Sequence, residues 1–267
     1  MKINTRILLA AFRTYFRNIQ GRKFEPEIIF LKNILNEGDN CFHIGASDAR
    51  HSYVMSNLIG GKGQIYAFEP SSHSFSHLVM MTKMHRIKNI HTYNLAVSNK
   101  AGTVCLVTPI KSTGHAGRSF AYMTGIEESD IKREDIKADK FIKEEVKSIA
   151  VDDFVLSNNI NKVDFIRCDT EGSEMLILKG ATKTIEKYKP NLLLEIHSDA
   201  LKDVFNSNAS EVSRLLFEIG YHMFREDGGV IHQVEEINEN EKWKDYFFIH
   251  PDRINSLPDG PFRNQLF

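Results

Sequence analysis

Short apolar runs alternate with amphipathic stretches along most of this chain, and that alternation limits what it can fold into. Residues 40–45 (NCFHIG), 64–69 (QIYAFE), 90–97 (IHTYNLAV), 163–168 (VDFIRC) and 191–197 (NLLLEIH) each read as a buried strand bounded by turn residues. Helical spacing covers 51–59, 72–85, 174–187 and 210–219, the last with Ser210 as its cap and Gly220 as its stop. Strand–helix repetition of this kind predicts a doubly wound, mostly parallel sheet of about seven strands, covered on both faces. The strands at 221–226 and 246–250 are expected to close the sheet, with the turn Asp227-Gly228-Gly229 between them.

The regular pattern breaks between residues 98 and 146. Residues 101–108 (AGTVCLVT) read as an added strand, and Lys111 to Phe120 as a Gly/Ser-rich loop suited either to covering a substrate or to plain connection. From Ile126 to Lys147 mixed charges predict a solvated helix or excursion, and a strand resumes at Lys147 to Val151. Residues 1–36 are assigned to an N-terminal helical extension and 37–267 to a single domain.

Within that extension Ile3, Ile7, Leu8, Ala11, Phe12, Tyr15, Phe16 and Ile19 fall on one helical face, opposite Lys2, Arg6, Arg13 and Arg17. Such a helix packs on its own domain, meets a second subunit, or makes a peripheral membrane contact. Arg13 and Arg17 interrupt the apolar run, so neither a signal peptide nor a spanning segment is expected. The 34 Lys and Arg residues against 35 Asp and Glu leave no basic field for nucleic acid. Cys41, Cys105 and Cys168 lack metal spacing and sit in apolar runs, as expected of buried thiols in the cytoplasm.

In an open α/β sheet, ligands bind beyond the carboxyl ends of the strands. Those ends carry Gly45-Ala46-Ser47, Glu69, Asp169-Thr170-Glu171-Gly172 and Glu195-Ile196-His197, a density of acids that packing alone does not require. Glu69 is placed to accept both hydroxyls of a ribose, and Gly45 to let backbone approach a ligand closely. The G-x-G-x-x-G and G-x-x-x-x-G-K-[ST] patterns are missing, which disfavours NAD and ATP. A ribose-bearing ligand without a pyrophosphate, such as S-adenosylmethionine, fits better.

The block Val163-Asp164-Phe165-Ile166-Arg167-Cys168-Asp169-Thr170-Glu171-Gly172-Ser173-Glu174, continued by Leu176 and Leu178-Lys179-Gly180-Ala181, resembles the signature of FkbM-type S-adenosylmethionine-dependent methyltransferases. Tyr66-Ala67-Phe68-Glu69-Pro70 and Asn94-Leu95-Ala96-Val97-Ser98 are similar to that family's second- and third-strand motifs, and the likeness runs over about residues 38–250. The resemblance implies a class I methyltransferase (Rossmann-like) fold. The cofactor would lie over the loop of His43, Gly45, Ala46, Ser47 and Asp48, with Glu69 and Pro70 at the ribose, Ala96 and Val97 at the adenine and Asp169 at the methionine end.

Family members often methylate hydroxyls of sugars or natural products. The acceptor here would then be a hydroxyl of a sugar, glycan precursor or related small molecule, with Asp169, Glu171, Glu195 and His197 as candidate catalytic groups. His197 is attractive as a base because a free imidazole titrates near 6.5. Two positions depart from the family's D-x-G-A-N-x-G motif: His43 stands in the Asp place and Ala49 in the second Gly place, with Ser47 in the Asn place. Asp48 is the nearest replacement carboxylate, and the alternative is a catalytically inactive binding or scaffold protein. A divalent metal on Asp169, Glu195 and His197 is chemically compatible but has no supporting spacing within one element. A homo-oligomer is compatible with the sequence as well.

Overall fold

The computed structural model describes residues 12–16, 20, 25–110, 121–124, 138 and 140–265. A short helix, α1 (residues 12–16), and a 3-10 helix, Pro26–Asn33, lead into the alternating part of the chain. There follow β1 (Asn40–Ile44), α2 (Arg50–Ile59), β2 (Gln64–Phe68), α3 (Ser72–Met84), β3 (Ile90–Tyr93), β4 (Ala96–Val97), β5 (Gly102–Ile110), β6 (Tyr122–Thr124) and β7 (Lys140–Ile149). The second half contains α4 (Val151–Ser157), β8 (Phe165–Cys168), α5 (Glu174–Lys179), α6 (Thr182–Tyr188), β9 (Asn191–His197), α7 (Ser198–Phe205), α8 (Ala209–Glu218), β10 (His222–Asp227), β11 (Val230–Val234), β12 (Trp243–Ile249) and α9 (Pro261–Gln265).

The main sheet has eight strands in the order β11-β10-β12-β9-β8-β1-β2-β3, not the seven expected. The five from β9 to β3 run parallel, and β12, β10 and β11 are added to β9 through successive antiparallel pairings. The extra strand arises at Asp227-Gly228-Gly229. Both glycines adopt positive φ, and the turn folds β11 back on β10 instead of leading into β12.

Side chains alternate across the sheet as the pleat requires. Phe42, Ile44 and Phe68 face a layer made by α4 to α8, while Cys41, Ile65 and Ala67 face α2, α3, α9 and the 3-10 helix. The chain goes outward from β1 through β2 to β3, then returns to the other side of β1 as β8 and β9. A crevice opens where the strand order reverses, between the ends of β1 and β8.

Two further expectations are corrected. The charged stretch before Ile149 contains a ten-residue strand, β7, that pairs with β5 from Lys140 to Ser148. It joins β4, β5 and β6 in a separate four-stranded sheet, and its largely exposed side chains explain why it reads as solvated. The helix expected over 174–187 is two helices, broken at Gly180-Ala181. A side chain at Gly180 would lie 2.2 Å from the carbonyl oxygen of Ser98, so this turn is pressed against the chain leaving β4.

In α1, Thr14 is buried and Tyr15 packs on His85, while Phe12 and Phe16 stay exposed. Ile3, Ile7, Leu8, Ala11 and Ile19, the rest of the amphipathic face, lie outside the described residues, as does the loop at 111–120. Among the described residues no helix is long and apolar enough to cross a membrane.

Candidate functional site

The end of β1 is joined to both neighbours through backbone. The amides of Gly45 and Ala46 donate to the carbonyl of Phe68, each at 3.0 Å, and the amide of Asp169 donates to the carbonyl of Ile44 at 3.0 Å. Gly45 has φ +82°, and a Cβ there would fall 1.8 Å from the carbonyl oxygen of Asp169. The glycine is therefore demanded by the adjoining strand end as well as by any ligand above it. Ser47 and Ala49 also take left-handed backbone, at φ 37° and 64°, to turn the chain into α2. A non-glycine residue pays roughly 1–2 kcal/mol for that conformation, which accounts for the glycine the family prefers where Ala49 stands.

Glu69 is buried at the end of β2. Its Oε2 accepts from the amide of Ser47 and its Oε1 from the amide of Ser71, both at 2.9 Å. The Asn94 side chain fixes the following turn by donating to the carbonyls of Glu69 and Pro70 at 2.9 and 2.8 Å. Burial pushes the Glu69 carboxyl up to about 7, against the two amides that favour its charged form. Ala96 and Val97 are buried beside this end, and Leu106 and Met123 of the second sheet roof it.

The β8 end is built from charges. Arg167 is fully buried in the middle of an apolar strand, where Nη1 donates to Asp245 Oδ1 at 2.7 Å and Nη2 to Asp169 Oδ2 at 3.4 Å. Burial opposes its charge, but Asp245 and Asp169 outweigh that and raise its pKa. Burial and the Glu195 carboxylate together push Asp169 up to about 8, against the pull of Arg167. His197 lies between two acids, with Nδ1 3.4 Å from Glu171 Oε2 and Nε2 3.2 Å from Glu195 Oε2. Burial lowers its pKa, yet these carboxylates prevail and lift it to about 9. In the ion-free cleft the ring therefore holds its proton above the pH at which a free imidazole acts as a base.

Glu171 and Gly172 carry positive φ, 57° and 109°, and a side chain on Gly172 would meet Ala200 at 2.5 Å. Glu174, wholly buried, accepts from the amide of Gly172 at 3.0 Å and from Thr170 Oγ1 at 3.2 Å. The last acid of the D-x-E-G-x-E block thus pins the loop that presents the first two.

His43, in the family's Asp place, is buried with Nδ1 2.6 Å from Ser52 Oγ. Burial, His51 and Arg167 hold it well below the usual imidazole range, so it is neutral. His51 Nε2 lies 3.0 Å from Glu27 Oε1, and Arg50 pairs with Glu25 and with Asp48. Asp48, expected as the replacement carboxylate, is paired with Arg50, and Glu27 of the 3-10 helix and Glu25 just before it line the same cleft.

All the sequence-predicted residues line one cleft of 470 Å³: His43, Gly45, Ala46, Ser47 and Asp48 in the β1 loop; Glu69, Pro70, Ala96 and Val97 at one end; Asp169, Glu171, Glu195 and His197 at the other. The volume suits a small-molecule site. The sequence reading missed Glu25, Glu27, Arg167, Trp243 and Asp245 as lining residues. For Arg167 a signal existed, a charge inside the most apolar strand; for the others the partners lie far apart in sequence.

Residues 43–223 match the family described as the methyltransferase FkbM domain. The chain belongs to this family of S-adenosylmethionine-dependent methyltransferases. Methyltransferase FkbM from Methylobacillus flagellatus shares the fold, with a TM-score of 0.51 and 14% identity over 81% of this chain and 44% of that one. The chain thus spans less than half of that protein's length. A SAM-dependent methyltransferase from Aquifex aeolicus is similar at a TM-score of 0.43 and 15% identity, over 85% of this chain and 90% of that one. Fibrillarin from Aeropyrum pernix, solved with natively bound S-adenosyl-L-methionine, is similar at 0.43 and 13%, over 83% and 72%. No curated protein matches the chain.

Proposed function

We propose that this FkbM-family chain moves a methyl group from S-adenosylmethionine to a hydroxyl of a sugar, glycan precursor or related small molecule. The observation that carries the reading is the convergence of Glu69, the Gly45 loop and Asp169 on one cleft at the switch point of the sheet. Each oxygen of Glu69 takes one backbone amide and keeps lone pairs for a ribose hydroxyl. Ala96 and Val97 offer an apolar border for adenine, and Asp169 an acid for the cationic methionine end.

The acceptor would enter from the side of Glu195, His197 and Trp243. S-adenosylmethionine, when bound, would supply the methyl group on a sulfonium that leaves as a neutral thioether, and the chain's own part would be to orient the attacking hydroxyl and take its proton on a carboxylate. Glu171 or Glu195 would take that proton, and the short approach of both to His197 supports the reading because it holds the two carboxylates together. Because the sulfonium is already a good leaving group, alignment is the main requirement, worth roughly 7–11 kcal/mol at best. The free, buried Cys41, Cys105 and Cys168 fit a cytoplasmic setting.

Calorimetry with S-adenosylhomocysteine tests the donor site. Binding to the wild type that is lost in Glu69→Ala supports it, and no binding to the wild type removes it. Incubation with methyl-labelled donor and a panel of sugars then separates an enzyme, which transfers label, from a scaffold, which does not.

A further inference from the structure

Glu195 and His197 are two residues apart on β9 and so project to the same side of the sheet, where they meet Asp169 from the end of β8. One oxygen from each acid and one ring nitrogen lie within 4.8 Å of one another. We propose that Asp169, Glu195 and His197 bind one divalent cation of the Mg²⁺ or Mn²⁺ class, in exchange for the proton that His197 holds in the ion-free cleft, where the methionine end of the donor site meets the acceptor.

Four observations support the site. His197 Nε2 is buried without a hydrogen-bond partner, since Glu195 Oε2, though 3.2 Å away, is not aligned with the ring N–H. That separation of 3.2 Å is close to the edge of an octahedron whose metal–ligand bonds are about 2.2–2.3 Å. The other ring nitrogen faces Glu171 at 3.4 Å, the arrangement by which an outer carboxylate orients a ligating imidazole. Finally, Arg167 makes its shortest contact to Asp245, which leaves Asp169, Glu171 and Glu195 gathered around one imidazole. The second acid–imidazole group, Glu25, Glu27 and His51, is closed by comparison: His51 is hydrogen-bonded to Glu27, and Arg50 holds Glu25.

Three protein ligands leave three octahedral positions, two of which suit the adjacent oxygens of a vicinal diol. This part rests on the methyltransferase reading and narrows its acceptor to sugars with neighbouring hydroxyls. The metal would draw the proton off one hydroxyl; that oxygen bonds to the methyl carbon as the C–S bond breaks, giving a methyl ether, a neutral thioether and one proton.

The test is a Mn²⁺ titration of the full chain without donor, read by electron paramagnetic resonance. One ion per chain is expected, displaced by Mg²⁺, with nitrogen modulation in the spin-echo spectrum from the bound imidazole. Glu195→Gln and His197→Ala should each weaken binding about tenfold or more, whereas Glu27→Gln retains it. Absence of binding, bound Mn²⁺ without nitrogen coupling, or loss in Glu27→Gln alone would overturn the site. The nitrogen signal is read on the wild type and so does not depend on how the variants fold. S-adenosylhomocysteine calorimetry on the same sample keeps the two readings apart, since either ligand can bind while the other fails.

Discussion

At the Glu69 end of the cleft a carboxylate is held by two backbone amides, whereas at the Asp169 end carboxylates, Arg167 and His197 are held by one another. The first arrangement is fixed once β1 and β2 are paired, because the donors belong to the turns that end those strands. The second depends on side chains from β8, β9 and β12 balancing in charge. Backbone therefore sets the end proposed for the donor's ribose, and charge balance sets the end where its methionine part would meet the acceptor.

The largest test of this contrast is Arg167→Met. Removing the buried cation leaves Asp245 and Asp169 uncompensated and should lower stability by about 3–5 kcal/mol, read by urea unfolding. A loss under about 1 kcal/mol would show that the acids do not depend on it.

Gly45→Ala comes next, because it attacks the joint between the two ends. Positive φ and the contact with the Asp169 carbonyl oppose any side chain, and a stability loss of about 1–3 kcal/mol is expected together with loss of S-adenosylhomocysteine binding. Glu69→Ala should be narrower, costing about 1.5–3 kcal/mol of cofactor affinity by calorimetry. If it also unfolded the protein as Arg167→Met does, the contrast would collapse.

The smallest effect is in pH. His197 is raised to about 9, so the stability from its ion pairs is complete below about 6.5 and is lost as pH rises through about 9. Asp169 and Glu69, raised to about 8 and 7, act in the same direction over a lower window: each stays protonated in the fold where the unfolded chain is already ionised, so stability falls as pH rises from about 4 and the loss is complete above about 8 and 7. Thermal melts should fall from neutral to alkaline pH, and His197→Gln should flatten the upper part of that fall.

The parallel half of the sheet was legible because its strands are buried on both faces and stand out as apolar runs. β7 was not: only Val146 and Ser148 along it are fully buried, and its remaining charges mimic a solvated excursion. β11 was missed because a five-residue edge strand carries too little apolar pattern. At the site, the residues within Glu69-Pro70 and Asp169 to Glu174 were readable as local motifs. The pairing of Arg167 with Asp245, 78 residues away, and of His51 with Glu27 exists only after folding. The shift of His197 was illegible for the same reason, since Glu171 and Glu195 come from different strand ends.

Because the Cα of Gly45 rests directly on the peptide of Asp169, the two halves of the cleft share one mechanical datum. Neither can drift without dragging the other, so the methyl's point of departure is indexed to its destination. Retargeting such a protein to a new acceptor should therefore succeed through the outer walls, around Trp243 and the roof at Leu106 and Met123, while the jig beneath stays untouched.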